Sequence, residues 1–112
     1  MKKGEVWRVS LPSVPGHTQG GIRPGVILQE HQGTRSLPTV LVVPFTSNQA
    51  TLRFPGTVAV QPDGQNGLTV PSVAMVFQLT AVDRTNCLQP LGVLDPATLD
   101  QIFAALDKLS GR

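Results

Sequence analysis

Apolar residues along this chain recur in short runs broken by glycine and proline, and only the last stretch carries a helical period. Glu5 to Leu11, EVWRVSL, alternates, with Trp7, Val9 and Leu11 on one face of a strand and Val6, Arg8 and Ser10 on the other. Pro12 to Gly21 holds two prolines and three glycines, which predicts a loop too long for a tight hairpin. RPGVILQE (from Arg23) and TVLVVPFT (from Thr39) are nearly continuous in apolar residues, joined by the polar stretch His31 to Pro38. Such strands are covered on both faces, so they are expected at the centre of a sheet, paired antiparallel.

After a second long loop, Ser47 to Gly56, the pieces TVAVQ, LTV, SVAMVFQL and TAVD read as short strands, with PDGQNG as a turn after the first. Together they predict a mainly β fold, a small antiparallel meander curled on itself, because no repeated helices exist to make parallel crossovers. The one helix is DPATLDQIFAALDKLSG. Asp95 caps it, Pro96 takes the first position, where a missing N–H costs nothing, and Gly111 follows the last turn. Leu99, Ile102, Phe103, Leu106 and Leu109 form its apolar stripe, which packs on the sheet or at a subunit interface.

A length of 112 residues, 40% hydrophobic and 14% charged, fits one folded domain spanning 1–112. No apolar run reaches the roughly 20 residues of a membrane span, and MKKGEVWRV lacks the apolar core of a signal peptide, so a cytoplasmic location is expected. The single cysteine, Cys87, makes no internal disulfide and is read as a partly buried small residue. Net charge is only +2, but Lys2, Lys3, Arg8, Arg23, Arg35 and Arg53 concentrate positive charge in the first half, against Glu5 and Glu30. That favours a local basic face.

Metal-protease, P-loop and nucleophile-elbow motifs are absent, no acidic cluster has metal-ligand spacing, and the only histidines are His17 and His31. The expectation is therefore no metal and no cofactor. What stands out is polar chemistry at the ends of apolar strands. If the second and third strands pair antiparallel, Arg23 and Thr46 fall at the same end of the sheet, where a guanidinium fork and a hydroxyl suit a phosphate. The bland alternatives are a solvated surface arginine and a TSN turn that satisfies its own backbone.

The order of KGEVWRVSLPSVPG, QGGIRPGVILQ, TVLVVPFTSN, GLTVPSVAMVFQLTAVDR and LGVLDPATLDQIFAAL resembles, over nearly the whole chain, the MazF/PemK family of toxin endoribonucleases from bacterial toxin–antitoxin systems. The resemblance implies a small, strongly bent antiparallel sheet or SH3-like barrel with a C-terminal helix, acting as a homodimer. It further implies metal-independent cleavage of single-stranded RNA at short motifs. The family's catalytic arginine falls on Arg23 and its catalytic threonine on Thr46. Gln19, Gly21, Ser47 and Asn48 become candidate RNA contacts beside them. The family commonly reads GSEQGG where this chain reads GHTQGG, so Thr18 replaces a carboxylate and His17 a serine.

The implied reaction is attack of a ribose 2′-OH on the adjacent phosphorus, leaving a 2′,3′-cyclic phosphate and a 5′-OH. Arg23 would stabilise the transition-state charge and Thr46 a nonbridging oxygen. A guanidinium keeps its proton at neutral pH, so the 2′ proton needs another acceptor. His17 is the candidate, with water or a phosphate oxygen as the alternative, and an exposed loop histidine of no catalytic role as the bland reading. Trp7 is either a base-stacking face or core; Lys2, Lys3, Arg35 and Arg53 are candidate backbone contacts, and Phe54 a candidate for sequence choice. The resemblance also implies a MazE-like antitoxin whose acidic, disordered tail folds onto the basic groove. Two competing readings are a CcdB-like toxin that binds DNA gyrase and an inactive SH3-like binding module.

Overall fold

The computed structural model describes residues 1–12, 21–30, 33 and 35–112. Its strands are β1 (Glu5–Leu11), β2 (Gly21–Ile27), β3 (Thr39–Thr46), β4 (Thr57–Val60), β5 (Ser72–Met75), β6 (Thr80–Asp83) and β7 (Cys87–Val93), followed by the helix α1 (Pro96–Ser110). All pairings are antiparallel, in the order β4-β5-β3-β2-β1-β7, with β6 also on β3. The expected bent antiparallel sheet with a terminal helix is what forms. It is not a plain meander, because β7 returns to pair with β1 and β5 inserts beside β3.

The bend originates in β3. Its first half, Thr39 to Val42, pairs with β6, whereas Phe45 and Thr46 pair with β5. Pro44 sits at the changeover, opposite Gly25 in the last residue pair of β2 with β3. A proline has no N–H for a sheet ladder and is normally excluded from central strands. Here it stands where the ladder changes partner, and β2 and β3 diverge beyond it. Gly25 lets the two chains approach: a Cβ there would stand 2.5 Å from Val42 Cγ1 and 3.3 Å from the Val43 carbonyl.

Both faces of the central strands are buried, as their continuous apolar runs require. Val6, Val26, Val43 and Phe45 belong to a core shared with Ile102 of α1; Val9, Leu11, Ile27, Val40 and Val42 belong to a second core with Val82 and Cys87. Each such side chain contributes about 1.5–3 kcal/mol of burial. The predicted alternation of β1 thus holds, with Trp7 packed half-buried against the second core and Val6 in the first.

α1 carries the expected signals. Asp95 accepts from the Thr98 backbone N–H at 3.0 Å and from the Thr98 hydroxyl at 2.6 Å, Pro96 opens the helix, and Gly111 closes it at φ 78°. Ile102 is buried, with Leu99, Phe103 and Leu106 packed on the first core. No helix among the described residues is long and apolar enough to cross a membrane.

Four expectations need correction. LTV is not a strand: Leu68 to Val70 lie in the connection 61–71, whose shape is set by side chains rather than by a ladder. Asp63 Oδ1 accepts from the N–H groups of Gln65 and Asn66, and buried Asn66 bonds Gln61 O and Leu68 N. SVAMVFQL is a strand only to Met75, then a 3-10 turn at Val76–Gln78. β2 starts at Gly21 rather than Arg23, and the second long loop contains a 3-10 turn at Gln49–Arg53.

Candidate active site

The divergence of β2 from β3 opens a cleft of about 620 Å³. The residue pairs that precede it, Ile27 with Val42, Val26 with Val43 and Gly25 with Pro44, set a register that two further steps carry to Arg23 and Thr46. These two residues therefore stand in register across the gap, and both line it. The Arg23 guanidinium is half-buried, and its Nη1 donates to the Phe45 carbonyl at 3.4 Å. Ser47 continues the same wall.

The opposite wall is the connection before β5, from Gly67 to Val70 with Ser72. It is fixed to β7 by backbone contact. The Val93 N–H donates to Gln65 O at 2.9 Å, and a Cβ at Gly92 would collide with that carbonyl. Ser72 Oγ in turn donates to Val70 O at 2.9 Å. Ile22, 63% exposed, and Val70, 47% exposed, stand at the cleft as apolar surfaces open to solvent. Such surfaces can pack on the flat face of a base.

The charge of the cleft is one-sided. Arg8 and Arg23 line it, and none of its described lining residues is acidic. Glu5 is occupied elsewhere: burial opposes its ionisation, but bonds from Trp7 Nε1 at 3.0 Å and from the Lys2 N–H, with the N-terminal charge, hold its carboxyl below the ordinary range. Burial pushes the Cys87 thiol up, which favours its protonated form. Among the described residues no three His, Cys, Asp or Glu side chains gather closely enough to hold a metal ion.

Of the residues nominated from sequence, the structure gathers Arg23, Thr46 and Ser47 in the cleft. Asn48 caps the neighbouring turn instead, its Oδ1 accepting from Ala50 N at 3.1 Å while its own N–H donates to Thr46 Oγ1 at 3.2 Å. The TSN segment is thus both turn and cleft wall. Gly21 is exposed at the start of β2, outside the cleft, at φ 99°. Trp7 donates to Glu5 and packs on the second core, as in its core reading. Arg53 lies over the Phe54 ring at 4.9 Å, away from the cleft, and Lys3 pairs with Glu30 at 3.4 Å. His17, Gln19 and His31 lie outside the described residues.

Three contributors were not nominated: Arg8, Ile22 and the Gly67–Ser72 wall. Arg8 had a usable signal, since alternation sets it opposite the apolar face of β1 and antiparallel pairing brings it against Pro24 beside Arg23.

Comparison with known proteins agrees with this architecture. The endoribonuclease MazF of Staphylococcus saprophyticus is 30% identical over 107 residues, 96% of this chain and 88% of that protein. In fold, the chain is similar to MazF from Deinococcus radiodurans, with TM-score 0.81 at 24% identity, covering 100% of this chain and 97% of that one. It is also similar to a mycobacterial endoribonuclease in complex with its cognate antitoxin, with TM-score 0.76 at 23% identity, covering 99% and 95%. The model of the PemK-like, MazF-like toxins of type II toxin–antitoxin systems matches residues 2–110, and this chain belongs to that family.

Proposed function

We propose that Arg23 and Thr46 form the cleavage centre of this toxin endoribonuclease, which cuts single-stranded RNA without a metal ion. The observation that carries the reading is their alignment in one cleft that presents guanidinium and hydroxyl groups and, among the described residues, no carboxylate. A 2′-OH attacks the adjacent phosphorus, the 5′ oxygen leaves and takes up a proton from water, and the products carry a 2′,3′-cyclic phosphate and a 5′-OH. The nucleophile is part of the RNA, which accounts for selection of RNA over DNA.

Arg23 donates to the nonbridging oxygens as charge builds on the pentacoordinate phosphorus, and Thr46 donates to one of the same oxygens. Thr46 Oγ1 already accepts from Asn48 N, which leaves its own proton to point into the cleft. The 2′ proton passes to His17, or to water or a phosphate oxygen in its place. Gln19 and Ser47 serve as further RNA contacts.

The chain acts in the cytoplasm as a homodimer, and a cognate antitoxin with an acidic tail silences it by occupying the basic cleft. Known relatives support this partner, since a similar mycobacterial endoribonuclease is seen with its antitoxin. The test is incubation of purified protein with a long single-stranded RNA in EDTA. Cutting with 5′-OH and cyclic phosphate ends, lost in Arg23→Ala at unchanged melting temperature, is the expected result. Intact RNA, or cutting that returns only with added metal, overturns it.

A further inference from the structure

A second guanidinium reaches the cleft and, among the described residues, has nothing to hold. Arg8 lies in β1 directly opposite Pro24, the residue after Arg23, and lines the same cleft in an exposed position. Three other basic side chains have work elsewhere: Lys3 pairs with Glu30, Arg53 covers Phe54, and Arg84 Nε donates to Leu37 O at 2.7 Å. Among the described residues no hydrogen bond or ion pair engages the Arg8 side chain.

An exposed arginine is ordinarily just solvated. Arg8 differs in its mounting. Val6 and Val9, both fully buried, fix β1 on either side of it, and pairing with β2 and β7 fixes its height on the sheet. Arg8 and Arg23 line the one cleft from neighbouring strands, so a single extended polyanion lying in it passes both.

We propose that Arg8 binds the phosphodiester next to the one held by Arg23 and Thr46, its donor fork taking the nonbridging oxygens and fixing the register of single-stranded RNA in the cleft. The proposal rests on the cleft being the RNA-cleaving site. Arg8 touches a phosphate whose charge does not change during the reaction. It therefore binds ground state and transition state alike, and its loss raises KM and leaves kcat close to its starting value.

The test begins with wild-type protein, whose cut site is mapped on a long RNA. A single-stranded oligonucleotide spanning that site, with a 2′-deoxy residue at the cut, then measures affinity across a salt series for wild type, Arg8→Ala and Arg8→Lys. Arg8→Ala should bind about tenfold more weakly and lose about 0.7 from the slope of log K against log salt, the value of one single-strand phosphate contact. Its KM should rise by a similar factor. Arg8→Lys, which keeps the charge, should keep the slope and most of the affinity. A wild-type slope and KM in Arg8→Ala overturn the proposal, and so does an Arg8→Lys variant no better than Arg8→Ala, because packing and not charge would then matter. Unchanged RNA affinity with lost binding to polyglutamate assigns Arg8 to an acidic protein partner and overturns it equally. If the wild-type protein leaves RNA intact, it is the cleavage reading beneath the proposal that fails.

Discussion

Nη1 of Arg23 donates to the main-chain carbonyl of Phe45 at 3.4 Å, across the gap that opens where β2 and β3 stop pairing. The bond is long, and it turns the guanidinium toward the end of β3. Thr46 is the next residue. One strand thereby aims the arginine of its neighbour, and the aim depends on the planar fork rather than on charge alone.

Arg23→Lys separates these two properties. An ammonium keeps the charge but offers no fork that can hold the Phe45 carbonyl and an oxyanion together. We expect kcat to fall by about 10²-fold or more, the scale for removing a pre-aimed oxyanion donor. Circular dichroism and thermal melting should match wild type. A lysine variant with near-normal turnover would show that charge alone suffices.

Thr46 has two tasks that substitutions divide. Its Oγ1 receives the Asn48 N–H at 3.2 Å, and its hydroxyl proton faces the phosphate in the proposed reaction. Thr46→Val keeps the shape and removes both, at about 1 kcal/mol of stability and about 10²-fold in kcat. Thr46→Ser should recover most of both. If Thr46→Val melted lower but cut RNA normally, the threonine would be a turn residue only.

Gly25 governs the alignment itself. A methyl group there meets Val42 Cγ1 at 2.5 Å and the Val43 carbonyl at 3.3 Å, so β2 and β3 must separate or Val42 must leave its rotamer. Gly25→Ala should cost about 1–3 kcal/mol. Because the shift occurs two residues from Arg23, activity should fall further than the folded fraction does. Chemical denaturation with initial rates measures the two losses separately, and equal losses would refute a coupling of register to site.

β1 to β3 and α1 were legible because their signals are local: alternation, continuous apolar runs, and an Asp–Pro start with a glycine stop. β7 was not, since CLQPLGV contains Pro90 and Gly92 and resembles a loop. It exists because β1 offers an edge, and the register shifts after Val6, so that Pro90 falls opposite Trp7 at a bulge, where proline is tolerated. LTV misled in the opposite direction, its β-forming residues being held in a loop by Asn66 and by the backbone contact of Gly67 with Leu91. Arg23 and Thr46 could be paired from sequence because only the β2–β3 register was needed. Alternation in β1 marks the face of Arg8, but its place in the cleft also needs the pairing across the loop after β1; the far wall rests on contacts between distant glycines, which have no local signature.

The helix cap gives a pH signature. Bonds from the Thr98 hydroxyl and N–H hold the Asp95 carboxyl below the ordinary aspartate range. A carboxyl whose folded value is depressed stabilises the fold above its unfolded value, near pH 4, and loses that contribution as pH falls through the folded value. Asp95→Asn, whose amide carries no charge, should melt lower than wild type at pH 7 and approach it as pH drops from about 4 toward 2. A constant gap across that window would mean the cap works without its charge.

Asn66 supports the wall that faces Arg23. The residue is 1% exposed; its Nδ2 donates to Gln61 O at 2.9 Å and its Oδ1 accepts from Leu68 N at 3.0 Å. Asn66→Ala deprives both backbone groups of their partners in a sealed position, a loss of about 2 kcal/mol. Leu68 and Val70 then lose their fixed distance from Thr46, so KM should rise by more than kcat falls. Asn66→Asp provides the contrast. It keeps an acceptor for Leu68 but sets a carboxylate against the Gln61 carbonyl, so it should melt no higher than Asn66→Ala. If either variant melted and cut like wild type, the wall would owe its place to the Gly67 and Gly92 contacts alone, and the anchoring role assigned to Asn66 would be wrong.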